Sequence, residues 1–151
     1  MMGLSSMSGP DDNEQLAIRR QEVRQWLAIV AEDIAVARGC IDLSPPRHGA
    51  AAFHLQQACE KVMKALLVLA GERLPRTHDL DDLASRVTPL YPQWASSFEN
   101  MRDLTSWSVA YRYPAFGSEP EPEPTRSEIE TTANMVERLA AEVSLLNPDH
   151  G

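Results

Sequence analysis

The sequence predicts an all-α domain, and three observations carry that prediction. Apolar residues recur at threes, fours and sevens over long stretches. Residues that cap or stop helices bracket those stretches. No segment shows the period-two alternation of β-branched and aromatic residues that a strand needs. The architecture that follows is a helical bundle of four long or medium helices plus one short helix.

Residues 1–10 are small and polar without periodicity, so they are predicted to be a disordered leader ahead of a folded domain at 11–147. Asp11 and Glu14 form a D-x-x-E start signal, in which the Asp side chain accepts a backbone N–H. Leu16, Val23, Leu27, Val30, Ile34, Ala37 and Ile41 then fall on one stripe of a helix running to about residue 40. Gly39 and Ser44-Pro45-Pro46 close it.

Between Gly49 and Gly71 there is no proline, and Leu55, Ala58, Cys59, Val62, Leu66 and Leu69 make the apolar stripe of a second helix, which Gly71 stops. A connector through Thr77-His78-Asp79 leads to a short helix over Asp79–Val87, with Leu80, Leu83 and Ala84 facing inward. A fourth helix is predicted from Tyr91-Pro92, burying Trp94, Phe98, Met101 and Leu104 and fading near Tyr111. The run of alternating Pro and Glu that follows cannot be helical, so 114–124 is predicted to be an extended surface loop. Thr125 and Glu128 form a capping box for the last helix, whose buried positions are Ile129, Ala133, Val136, Ala140, Val143 and Leu146 and which Asn147-Pro148 ends.

With 151 residues, 43% of them hydrophobic, the chain can build one core but not comfortably two. A net charge of -8 repels a phosphate backbone as a whole and disfavours general DNA binding, although a local positive pocket remains compatible with it. No apolar run reaches the roughly 20 residues that cross a bilayer, and no basic-then-apolar leader is present, so a cytoplasmic protein without membrane insertion is expected. Cys40 and Cys59 lie in helical stretches away from histidines at metal-ligand spacing and are expected to be buried free thiols. No metal site or cofactor is predicted, and the glycine-rich phosphate loops, zinc-protease and esterase signatures are missing.

Three places in the chain could carry chemistry. On the second helix, His54, Gln57, Glu60, Lys61 and Lys64 share an arc opposite the leucine stripe. Lys61 and Lys64 are the only lysines, against twelve arginines. Two ammonium groups one turn apart can hold a phosphate or a carboxylate; alternatively, Glu60 and Lys64 form an ordinary surface ion pair. His78 is either an exposed turn residue or a titrating, ligand-holding one. Arg112 between Tyr111 and Tyr113, with Pro114 next, can offer a guanidinium beside ring faces for a base or phosphate. It can equally cap a helix end whose tyrosines pack on the bundle.

Taken together, Ala51-Ala-Phe-His-Leu-Gln-Gln-Ala-Cys-Glu-Lys-Val-Met-Lys-Ala-Leu-Leu, Pro75-x-Thr-His-Asp-Leu-x-x-Leu and Tyr111-Arg-Tyr-Pro resemble the HEPN domain family, and Trp26-Leu27 with Ala31-Glu-Asp-Ile-x-x-Ala37 resemble its opening segment. The resemblance spans about residues 14–146. It implies an up-and-down helical bundle, frequent homodimers, and association with a minimal nucleotidyltransferase. Many members are ribonuclease toxins of toxin–antitoxin or defence systems, with an Arg followed after four to six residues by a His.

This chain departs from that pattern, because Arg112 is followed by Gly117, Ser118 and Glu119 at those positions. Arg73 and His78 match the spacing but in the wrong part of the fold. Stabilising a charged phosphorane is only half of in-line cleavage, and a base is also needed. The reading is therefore a module that binds a nucleotide-like or phosphate ligand, a partner nucleotidyltransferase, or both, without a complete catalytic set. Its ligand-binding residues would be His54, Gln57, Lys61, Lys64, His78, Arg112 and Tyr113. The alternatives are a ribonuclease toxin using Arg73 with His78, or Arg112 with His54, and a purely structural dimerisation module.

Overall fold

The computed structural model describes residues 11–107 and 123–148. All regular structure among them is helical. α1 spans Asp12–Ile41, α2 His48–Leu69, α3 Leu80–Val87, α4 Ala95–Arg102 and α5 Arg126–Leu146, with a 3-10 turn Pro92–Trp94 leading into α4. The leader at 1–10, Arg112, Tyr113 and most of the predicted 114–124 loop lie outside the described residues.

α1 begins as its sequence signals: the Asp11 carboxylate accepts the Glu14 backbone N–H at 2.8 Å. Val23, Val30, Ile34, Ala37 and Ile41 face the core. Leu16 is exposed, ahead of Val23 where burial begins, and Leu27 is only half-buried. The far end of α1 is closed from another helix. Arg126 donates to the Ile41 carbonyl at 3.0 Å and to the Asp42 carboxylate at 2.9 Å, placing a cation where the helix dipole is negative.

α2 is the centre of the bundle. It packs along α1 and also against α3 and α5, so fifteen of its residues are buried, on every side rather than along one stripe. Its end is a Schellman motif: Glu72 N–H donates to Leu67 and Gly71 N–H to Val68, both at 2.9 Å, with Gly71 at φ +78°. Cys59 is fully buried and free, and burial pushes its thiol pKa up; Cys40 is free but only half-buried.

α3 is capped by Asp79, whose carboxylate accepts the Asp81 N–H at 2.9 Å. Thr77 Oγ1 in turn accepts the Asp79 N–H at 3.1 Å. The fourth helix departs from expectation: it starts as a 3-10 turn, runs for eight residues, breaks at Asp103-Leu104 and resumes at 105–107. Phe98 and Met101 are fully buried and Leu104 nearly so, whereas Trp94 is half-exposed and stacks on Tyr91 at 5.6 Å. Gln56 of α2 explains how the break is tolerated, because its side-chain amide donates to the carbonyls of both Leu104 and Thr105 at 3.2 Å.

α5 opens with the full capping box: Thr125 Oγ1 accepts from Glu128 N–H, and the Glu128 carboxylate accepts from Thr125 N–H. Ile129, Ala133, Val136, Leu139 and Val143 are buried, while Leu146, expected inside, is half exposed past the edge of the bundle. Among the described residues no helix is long and apolar enough to cross a membrane.

Candidate functional site

A carboxylate in a core helix is costly unless cations and hydrogen bonds surround it. Glu60 of α2 is only 3% exposed, and one of its oxygens, Oε2, collects three donors. Lys64 Nζ approaches at 2.9 Å, Lys61 Nζ at 3.3 Å, and His78 Nδ1, from the connector before α3, at 2.9 Å. Lys64 sits one turn along the same helix and Lys61 is the next residue, so the local spacing supplies two of the three partners. His78 supplies the third across the chain, with its ring otherwise largely in solvent.

Both ammonium groups also lie over the Trp26 ring of α1, at 5.8 and 5.9 Å from its centre, within cation–π range. Burial pushes the Glu60 carboxyl toward a higher pKa. The bonds from His78 and Lys64 and the charges of Lys61 and Lys64 outweigh that and hold it below its ordinary value. Glu60 is therefore an anion, with two ammonium groups and an imidazole against it.

Two turns back along α2, His54 Nδ1 meets the Asp33 carboxylate of α1 at 3.1 Å, and the Phe53 ring stands edge-on to the imidazole. Trp26 and Asp33 are seven residues apart on α1, as His54 and Lys61 are on α2, and they pair in reverse order. The helices thus run antiparallel and share two polar rungs along one seam.

The residues singled out by the sequence divide into four groups. Lys61, Lys64 and His78 converge on one centre. His54 is on the same seam but belongs to the separate rung with Asp33. Gln57 is half-buried on the same helix, and its side chain makes no hydrogen bond among the described residues. Arg112 and Tyr113 lie outside the described residues.

The surface ion pair offered as an alternative for Glu60 and Lys64 needs correction, since both side chains are buried beneath Trp26 and the connector bearing His78. Arg73 lines a hollow of about 270 Å³ with Leu67, Glu72 and Arg86, while His78 is bonded to Glu60. A further hollow of about 400 Å³ lies between α4 and α5 beside Leu104, Trp107 and Met135, away from the cationic centre. Among the described residues, no group of three His, Cys, Asp or Glu side chains is placed to hold a metal ion.

Two partners at this site, Trp26 and Asp33 on α1, were not among the candidates, and Glu60, expected only as an ion-pair partner of Lys64, is its buried hub. Glu60 had a local signal in its two lysine neighbours. Trp26 and Asp33 had only a shared spacing of seven residues, which gains meaning once α1 is laid against α2.

No curated protein and no solved structure matches the chain. The family model for the HEPN domain matches residues 23–146, which covers every described element except the first turns of α1 and the last residues after α5. The stretch includes both rungs of the seam and the connector with His78, and on this match the chain belongs to the HEPN domain family.

Proposed function

We propose that this HEPN module binds a phosphate-bearing ligand of the nucleotide class at the Lys61, Lys64 and His78 centre, without a catalytic set of its own. The carrying observation is the charge balance there: two ammonium groups and an imidazole meet a single carboxylate, which leaves net positive charge on a protein of net charge -8. Lys61 and His78 keep access to solvent, and Trp26 adds an aromatic wall. An ammonium group holds three donors, so bonding to Glu60 does not exhaust Lys61. A partner nucleotidyltransferase belongs to the same reading, as the protein that would supply or receive such a ligand.

Isothermal titration of the full chain with ATP, other nucleotides and short RNAs tests this. Lys61→Gln with His78→Ala removes the two accessible donors while leaving the buried Glu60–Lys64 pair, and affinity is expected to fall roughly tenfold or more. Unchanged binding in that variant overturns the site.

A second reading is favoured by the burial of Glu60 and Lys64, at 3% and 7% exposure. In that reading the centre is a structural tie holding the connector and α1 onto α2, and the double variant lowers the melting temperature with no ligand to weaken.

A further inference from the structure

α4 packs on α3, whereas α5 packs on α1 and α2, and a groove is left between α4 and α5. It consists of two hollows, of about 400 and 360 Å³, that share Met135 as a wall. Asn100 Nδ2 reaches Met135 Sδ across it at 3.7 Å, a weak contact. From Ser127 to Glu142 the groove follows α5 for about 22 Å, or about four turns.

The lining is apolar below and aromatic at both ends. Leu104 and Leu139, 6% and 3% exposed, lie at its base with the half-buried Met135 between them. Trp107 stands in the larger hollow and Trp94 in the smaller. Trp94 is held in place, because it stacks on Tyr91, whose hydroxyl donates to the Leu66 carbonyl of α2 at 3.1 Å. Fixed tryptophans over an apolar base that includes methionine are the anchors with which one protein grips a helix of another.

Charge selects the occupant. The hollow around Trp107 is acidic, lined by Asp103 just past α4 and by Glu128 in the first turn of α5. Asp103 is exposed and makes no ion pair among the described residues. Two carboxylates beside an indole ring suit an ammonium or guanidinium group. At the Trp94 end the charges cancel, since Arg138 and Glu142 both line that hollow.

We propose that the groove between α4 and α5 docks an amphipathic helix of a partner protein, with its apolar stripe over Met135 and Leu139 and its Lys or Arg residues clustered at the Trp107 end. The inference goes beyond the ligand proposed above and is independent of it, since no lining residue of the groove belongs to the Lys61, Lys64 and His78 centre.

Isothermal titration of the full chain with a synthetic amphipathic peptide, about four turns long, tests it. The peptide carries leucines on one face and lysines at one end; a counterpart has glutamates at that end. The lysine-ended peptide is expected to bind roughly tenfold or more tightly than the counterpart. Asp103→Lys is expected to reverse that order, and Trp94→Ala, at the opposite end, to weaken the lysine-ended peptide by roughly tenfold. Glu32→Lys, exposed on α1, makes the same change in net charge and is expected to leave the affinity unchanged. Circular dichroism confirms that each variant folds. A wild type that does not take the lysine-ended peptide overturns the proposal, whatever fills the groove instead. So does a preference for lysine that Asp103→Lys leaves intact, an equal loss in Glu32→Lys, or a Trp94→Ala variant that binds as the wild type does. An Asp103→Lys variant whose oligomeric state changes in sedimentation while its peptide affinity does not assigns the groove to a second copy and overturns the proposal likewise.

Discussion

Glu60 concentrates the energetics of one spot in the molecule. Its folded-state pKa lies below the ordinary value, so the unfolded chain binds the proton more readily across the intervening pH range. The stability it lends is whole above its unfolded pKa, about 4.3, and drains away as pH falls through the lower folded value. Glu60→Gln leaves Lys64 buried without a counter-charge, an arrangement that costs about 3–5 kcal/mol for a broken buried pair. Denaturant melts between pH 3 and pH 7, as about the range where carboxylates titrate, should show the variant less stable near neutrality and the gap narrowing toward acid.

The pairing of Glu60 with Lys64 was readable in the sequence, whereas the contact with Lys61 was not. The burial of the pair was not readable either, because helical periodicity assigns the side opposite a leucine stripe to solvent, and only the approach of Trp26 and His78 covers that side. His54 illustrates the same gap: it could be identified as a candidate from its own helix, but its partner Asp33 stands 21 residues earlier.

Helices α1 and α5 start at the caps that their sequences signal and α2 stops at Gly71, since caps and stops are local chemistry. α1 nevertheless runs through Gly39, expected to close it, as far as Ile41, and α2 starts without a side-chain cap. Gly71 and Gly39 make the point in opposite directions. Gly71 sits at φ +78°, and a Cβ there would meet the Arg19 guanidinium at 3.3 Å, a flexible group able to move aside. The backbone strain is what remains, and Gly71→Ala should destabilise by about 1–2 kcal/mol. Gly39 is helical with nothing within 4 Å of an added Cβ, so Gly39→Ala should stabilise by about 0.5–1 kcal/mol. Equilibrium urea unfolding of the two variants should give shifts of opposite sign.

α4 was the element least legible beforehand. Trp94, Phe98, Met101 and Leu104 keep a helical period straight through the break at Asp103, and the group that accommodates the break, the Gln56 amide, comes from 48 residues away. Local pattern carries no trace of such a bond.

At the scale of the whole molecule, one core joins all five helices around α2. The short α4 has too few residues to be helical alone and is held by Phe98 and Met101, both fully buried. Phe98→Ala should cost about 3–5 kcal/mol in urea unfolding, with the loss falling on the side of the bundle where α3 and α4 meet. The all-helical class was plain in the sequence because the patterning, the caps and the absence of strand alternation agree. The number of long helices was less plain, as the shortness of α4 depends on contacts that form only in the assembled bundle.

The last residues of the described domain have a bearing on how it could be rewired. Asn147, 4% exposed, donates its side-chain amide to the Arg20 carbonyl at 3.1 Å, so the end of α5 is clasped to the opening turns of α1. Arg20 lies only nine residues after Asp11, about 14 Å along a helix. A short peptide would therefore bridge the two extremities, and the domain suits circular permutation or grafting into a loop of an unrelated host.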